Sequence, residues 1–331
     1  MPVITQCDYK APVWLPGGHS QTLGPRLFCF VPRVSFARER VETPDGDFFL
    51  ADWLFASGSP ERPASKIAIV SHGLEGNSTR SYMRAMAIAL QRRGWDVLAR
   101  NMRFCGGEMN RLPTMYHSGE TGDIALSVAR CESRGYGTIA LVGFSIGGNQ
   151  TLKYLGEGAA TLPASVRAGV GISVPCDLAG CSTVLDLPSN SIYMNYFMRT
   201  LRKKVACKHS LYPELYPLAG LDSIKTFKAF DDRYTAPING FAGAEDYWAQ
   251  ASSGPHLANI AIPALLLNAK NDPFLSPSCF PVNEAASNSN LTLLLPEQGG
   301  HAGFPTQWGK TVGWMEEAVV DFLDAAVAAH G

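Results

Sequence analysis

No run of eighteen uninterrupted apolar residues occurs in this 331-residue chain, so an ordinary membrane-spanning helix is excluded. The segment Met1 to Lys10 lacks a basic stretch followed by an apolar one, and no secretory signal is expected there. An excess of either charge is missing too: 28 Lys and Arg against 29 Asp and Glu leave a net charge of −1. Without a polybasic field, nucleic acid and anionic lipid are not expected partners on charge grounds. Arg202-Lys203-Lys204 is too short to count as such a field and reads as a solvated face. No HExxH pattern is present and the seven histidines are scattered, which argues against a metal-dependent hydrolase. Eight cysteines, at 7, 29, 105, 131, 176, 181, 207 and 279, include no CxxC pair. Cys176 and Cys181 come nearest, yet no histidine follows at a zinc-finger interval. The thiols read as reduced and the protein as cytoplasmic, with no metal or cofactor expected.

The chain does contain apolar residues in quantity. At 46% hydrophobic and 17% charged it can fill a substantial core, and its length suits one α/β core with an insertion. The most informative segment is Leu141-Val142-Gly143-Phe144-Ser145-Ile146-Gly147-Gly148. An apolar strand runs into a serine with glycines two before and two after, and a helix-like stretch follows. That is the GxSxG elbow, in which a tight strand-to-helix turn exposes the serine and larger neighbours would collide. Two partners follow in the order Ser, Asp, His. Ala264 to Asn268 reads as a buried strand leading through Ala269-Lys270-Asn271 to Asp272. Leu291 to Leu295 leads through Pro296-Glu297-Gln298-Gly299-Gly300 to His301. Taken singly, Asp272 reads as an Asp-Pro turn former and His301 as a loop histidine. Behind an elbow and in this order, the pair reads as the acid and base of a Ser145, Asp272, His301 triad. A fourth feature is Ile67 to Gly76, a strand ending in His72-Gly73. The N–H of Leu74 together with that of Ile146 would form an oxyanion hole. His72 reads as structural, holding its loop.

Buried-strand runs alternate with helical patterns, as a mostly parallel sheet with helices on both faces requires. The expected strands are Lys66 to Ser71, Asp96 to Asn101, Thr138 to Gly143, Gly169 to Val174, Ala264 to Asn268 and Leu291 to Leu295. Met83, Met86 and Leu90 mark one core-facing helix, Ile124, Val128 and Cys131 a second, and Met315, Val319 and Phe322 a closing one. Glu39 to Phe55, turning at Thr43 to Asp47, reads as an antiparallel hairpin ahead of the parallel strands. Residues 176–255 interrupt the alternation with many aromatics and methionines and no clear strand. They are expected to form a mainly helical cap between two core segments, 1–175 and 256–331.

On these residues the chain resembles the YheT-like branch of the α/β-hydrolase superfamily, which includes plant embryogenesis-associated and animal abhydrolase members. The resemblance covers nearly the whole length. It rests on Trp14-Leu15-Pro16-Gly17-Gly18-His19-Ser20-Gln21-Thr22, His72-Gly73-Leu74-Glu75-Gly76-Asn77, Tyr116 to Thr121, Phe230 to Thr235 and Leu267 to Pro273. It implies the α/β-hydrolase fold, the same triad, and a carboxylesterase or acylglycerol-lipase type of activity on a small acyl ester or lipid-like substrate. Phe104 stands where the family usually has glycine and Met109 where it often has proline, substitutions expected to reshape the site entrance. An acyltransferase, a thioesterase or a perhydrolase would use the same triad, and a non-catalytic binding protein could keep the fold.

Overall fold

The computed structural model describes residues 3–4, 7–28, 30–305 and 310–329; Cys29 lies outside them. Its centre is a nine-stranded sheet in the order β1-β9-β8-β7-β6-β4-β5-β3-β2. The strands are β1 Val3–Ile4, β2 Ala37–Glu42, β3 Phe48–Leu54, β4 Lys66–Ser71, β5 Asp96–Asn101, β6 Thr138–Phe144, β7 Val166–Ile172, β8 Ala264–Leu267 and β9 Leu291–Leu294. Only β3 runs against its neighbours. It returns from β2 through the turn at Thr43 to Asp47, as the hairpin pattern predicts.

Alternation along β4 shows why both faces are covered. Ile67 and Ile69 point to a core shared with α3 (Gly122–Ser133) and α4 (Ile146–Glu157). Ala68 and Val70 point the other way, to α2 (Ser81–Arg92) and α11 (Trp314–Ala328). A parallel strand buried on both faces reads as a continuous apolar run, which is how the sequence spells it. Gly169 to Val174 was the expected span of β7. The strand is instead shifted, because Ser173 takes φ 51° and turns the chain out of the sheet.

Between β7 and β8 the chain is helical. It comprises α5 (Leu178–Leu185), α6 (Ser191–His209), α7 (Phe227–Phe230), a π-turn at Asp231–Thr235, α8 (Ala236–Ile238) and α9 (Ala244–Ala251). The aromatics of this segment mostly face one another: Met198, Tyr216, Phe230 and Tyr234 share one cluster, and Tyr247 and Trp248 another. Strand β1 and helices α1 (Gly17–Phe28) and α10 (Val282–Ser287) have no counterpart in the sequence reading. Helix α1 contains Pro25 and buries Gln21, Thr22 and Gly24 rather than large apolar side chains. Helix α10 is short and precedes β9.

Helix α11 begins with a buried carboxylate. Glu316 accepts the Gly313 N–H at 2.9 Å, and burial pushes its acid up from 4.5 to about 7. Below the unfolded value both states hold the proton and the fold keeps this group's full contribution. As pH rises from 4.5 through about 7 the unfolded chain ionises first, and that contribution is lost. Glu316→Gln, which keeps the acceptor, is therefore expected to stabilise the protein at pH 8 by up to about 3 kcal/mol and to change little at pH 4. Thermal unfolding at the two pH values checks this; an equal shift at both would contradict it.

Candidate active site

The strand order reverses at β4, which lies between β5 and β6 although all three follow one another in the chain. In open α/β sheets the crevice at such a reversal, beyond the carboxyl ends of the strands, is where ligands bind. Two loops leave the sheet there, Gly73-Leu74 after β4 and Ser145 after β6.

Ser145 has φ 54° and ψ −123°, and its N–H is tied to Ile172 O at 2.8 Å. The elbow glycines are steric necessities. A Cβ on Gly143 would lie 2.1 Å from Gly147 O, and one on Gly147 would lie 2.5 Å from His72 O. The positive φ is unfavourable for a serine, and packing on both sides holds it there.

The three residues separated in sequence meet at this point. His301 Nε2 lies 3.0 Å from Ser145 Oγ, and His301 Nδ1 lies 2.9 Å from Asp272 Oδ2 and 3.1 Å from Oδ1. The Asp272 side chain is fully buried and also accepts the Phe274 N–H at 2.9 Å. A carboxylate acceptor fixes Nδ1 as the protonated nitrogen, which leaves Nε2 free to take the proton of a hydroxyl. The Phe274 ring stacks on the imidazole at 4.1 Å and closes one side of it to water. Leu74 and Ile146 flank Ser145 in the chambers described below, and neither N–H has a hydrogen-bond partner among the described residues. Two idle donors beside a hydroxyl can stabilise a developing oxyanion.

His72 does hold its loop. It is fully buried, and burial pushes its imidazole down to about 3, so the ring is neutral. Its Nδ1–H donates to Gly73 O at 2.7 Å, and its Nε2 accepts the Met102 N–H at 3.0 Å. Glu75, at φ 54°, is fixed on the other side of Leu74. Tyr116 donates to it at 2.6 Å and Lys204 of α6 pairs with it at 2.8 Å. Lys204 therefore departs from the solvated face expected of Arg202-Lys203-Lys204: Lys203 is exposed, but Lys204 turns inward because the Glu75 carboxylate is buried beneath it.

Helix α1 contributes what sequence reasoning missed. Gln21, fully buried, accepts the Gly299 N–H at 2.9 Å and the Asn271 amide at 2.8 Å, and donates to Leu15 O at 2.9 Å. Thr22 Oγ1 accepts the His301 N–H at 2.9 Å. The Trp14 to Thr22 segment thus braces the Asp272 loop and the His301 loop from one helix. No local signal in the sequence marks this role, because the burial of Gln21 arises only from the folded packing of α1 against the Asp272 and His301 loops.

Two chambers meet at Ser145, and Leu74, Phe197, Phe274 and His301 line both. The larger, of about 240 Å³, runs along Thr22, Arg26, Ile192 and the Ala302 to Pro305 segment. The smaller, of about 110 Å³, lies under the inserted helices, against Leu178, Leu201, Phe230 and Trp248. Phe104 and Met109, expected to shape the entrance, line neither. Phe104 takes φ 63°, where glycine is at ease, and its ring lies under the Lys204 ammonium at 5.3 Å. The seven cysteines among the described residues are free thiols, and Cys181 Sγ lies 3.4 Å from Cys279 Sγ. Among the described residues no cluster of three His, Cys, Asp or Glu side chains could hold a metal ion.

This strand order, with a serine elbow at its reversal, defines the α/β hydrolases. Residues 69–307 match the family model described as the alpha/beta hydrolase fold. The chain is 36% identical to YheT of Escherichia coli, whose name assigns it provisionally to the esterases, over 92% of this chain and 89% of that one. It is 30% identical to the phospholipase ABHD3 of Mus musculus, over 100% of this chain and 81% of that one. An esterase of Pyrococcus furiosus shares the fold with a TM-score of 0.58 at 16% identity, covering 97% of each chain. The chain belongs to the α/β-hydrolase family and, within it, to the YheT-like branch of ester hydrolases.

Gln21→Leu removes the four side-chain hydrogen bonds of Gln21, to Gly299, Asn271, Leu15 and, at 3.3 Å, Gln298, without touching the relay. Ester turnover is expected to fall about ten- to a hundredfold with KM nearly unchanged, because small misplacements of reacting groups carry costs of that order. Steady-state kinetics on the folded variant, checked by circular dichroism, test this, and an unaltered kcat would show that α1 does not position the site.

Proposed function

We propose that this chain cleaves carboxylic acyl esters by two-step acyl transfer, with Ser145 as nucleophile, His301 as general base and acid, and Asp272 as its partner. The observation that carries the reading is the continuous relay of 3.0 Å and 2.9 Å from hydroxyl to imidazole to buried carboxylate. Ser145 Oγ attacks the ester carbonyl carbon while its proton passes to His301 Nε2. Asp272 holds the opposite N–H and balances the imidazolium charge. The Leu74 and Ile146 N–H groups bind the oxyanion, and no cofactor enters the scheme. Collapse of the tetrahedral intermediate breaks the bond to the alcohol oxygen, which takes the proton from Nε2. Water, activated by the same nitrogen, then attacks the acyl-enzyme and releases the acid.

The chambers divide the substrate between them. The leaving oxygen must meet the Nε2 proton, so the alcohol part belongs in the larger chamber, which the Ala302 to Pro305 segment lines. The acyl part belongs in the smaller one, beside Ile146 and beneath residues 176–255, which act as a cap on core segments 1–175 and 256–331. An apolar cavity of about 150 Å³ holds benzene, so 110 Å³ takes an acyl tail of about four carbons.

Ser145→Ala is expected to lower turnover on the order of a millionfold and Asp272→Asn roughly ten-thousandfold, and a fluorophosphonate probe should label Ser145. Parent-rate hydrolysis by a folded Ser145→Ala protein would overturn the assignment. On a panel of nitrophenyl esters from acetyl to palmitoyl, kcat/KM is expected to peak near butanoyl and fall at least about tenfold by palmitoyl, each lost 1.4 kcal/mol of fit being tenfold. A maximum at palmitoyl would instead place the acyl chain in the larger chamber.

A further inference from the structure

The near-zero net charge conceals a local imbalance in the segment that contributes Thr22, Arg26 and Val31 to the larger chamber. From Ala11 to Ala37 the chain has no acidic residue, while Arg26 and Arg33 are both exposed. Arg26 lines the chamber together with Lys310. The same stretch is rich in exposed apolar groups. Twelve large hydrophobic side chains are exposed among the described residues, and five of them, Val13, Trp14, Leu27, Phe28 and Phe30, fall within eighteen consecutive positions. Leu27 is 72% and Phe30 78% exposed. Ile192, near the start of α6, is 59% exposed and lines the same chamber.

Isolated exposed apolar residues are ordinary, but five within eighteen positions, interleaved with chamber-lining Leu23, Pro25 and Arg26, mark a contact surface. Leucine and phenylalanine interspersed with arginine is the composition that sinks into a lipid–water boundary, where the apolar groups leave water and the cations meet anionic headgroups. A protein partner of the same apolar character would not explain why acidic residues are missing from the whole stretch. Among the described residues no helix is long and apolar enough to cross a membrane, so the contact is one of lying on a surface.

We propose that the face formed by Val13 to Phe28, Phe30 to Arg33 and Ile192 docks on an anionic lipid–water interface, with the larger chamber opening onto it. The consequence, that substrate enters from the lipid surface, rests on the reading of Ser145 given above; the docking itself does not.

The test is sedimentation of the full chain with vesicles of ether-linked phosphatidylcholine and phosphatidylglycerol, which an ester hydrolase leaves intact. The protein is expected to pellet with the mixed vesicles, and less with phosphatidylcholine alone. Leu27→Asp combined with Phe30→Asp, at positions that line neither chamber, should weaken this binding about a hundredfold while hydrolysis of a water-soluble ester is unchanged. Failure of the unsubstituted protein to pellet, or equal pelleting of the double variant, would overturn the proposal. So would a dimer in light scattering that the double variant dissolves, since the face would then belong to a second copy of the chain. Vesicle binding without soluble-ester hydrolysis would leave the docking intact and remove the reading of Ser145 instead.

Discussion

One imidazole held between a hydroxyl and a buried carboxylate organises this molecule. Ser145 and His301 stand 156 residues apart in the chain and 3.0 Å apart in space, and Asp272 reaches the far nitrogen from a different loop. Each comes from the carboxyl end of a different strand, so the relay exists only if β6, β8 and β9 keep their places in the sheet. The two buried cores that clamp the sheet serve that requirement. A hydrogen bond between hydroxyl and imidazole tolerates only a few tenths of an ångström of drift, and the surrounding contacts supply the rigidity.

Those contacts are concentrated in backbone and polar groups rather than in apolar packing. Gln21 and Thr22 of α1 fasten the loops that carry Asp272 and His301, while His72 and Glu75 fasten the loop that carries the Leu74 N–H. Lys204 ties the Gly73 to Glu75 loop to the inserted helices, so any movement of α6 is felt beside Ser145. Arg80, donating at 2.8 Å both to Glu75 O and to the Tyr196 hydroxyl, makes a second tie of the same kind. Helix α6 and the Gly73 to Glu75 loop are therefore mechanically coupled.

Much of this was legible in the sequence because it is written in local chemistry. Apolar runs of strand length, glycines around a serine, and an acid and a histidine each following a strand all have short-range causes, and the sheet of parallel strands follows from them. Helix α1 was not legible, since it is held by polar contacts with residues about 250 and more positions away and the side chains it buries are Gln21 and Thr22. The two-residue strand β1 escaped for a similar reason: Val3 and Ile4 are strand only because β9 offers them an open edge. The inward turn of Lys204 could not be read either, because a lysine in a basic triplet looks solvated until a buried carboxylate is found beneath it. The same limit applies to the apolar, acid-free segment near the N-terminus, whose Thr22, Arg26 and Val31 line a chamber only once the chain is folded.

The central claim is that Ser145 itself carries the acyl group between the two half-reactions. Its most direct test is rapid quenching of the enzyme with a short-chain ester in excess, followed by mass analysis of the peptide that contains Ser145. The account predicts a mass increase equal to the acyl group on that peptide, appearing with a burst of alcohol release and absent from the His301→Ala protein. Turnover of the ester with no acyl group on Ser145 at any quench time, and no burst where deacylation is made limiting, would contradict it.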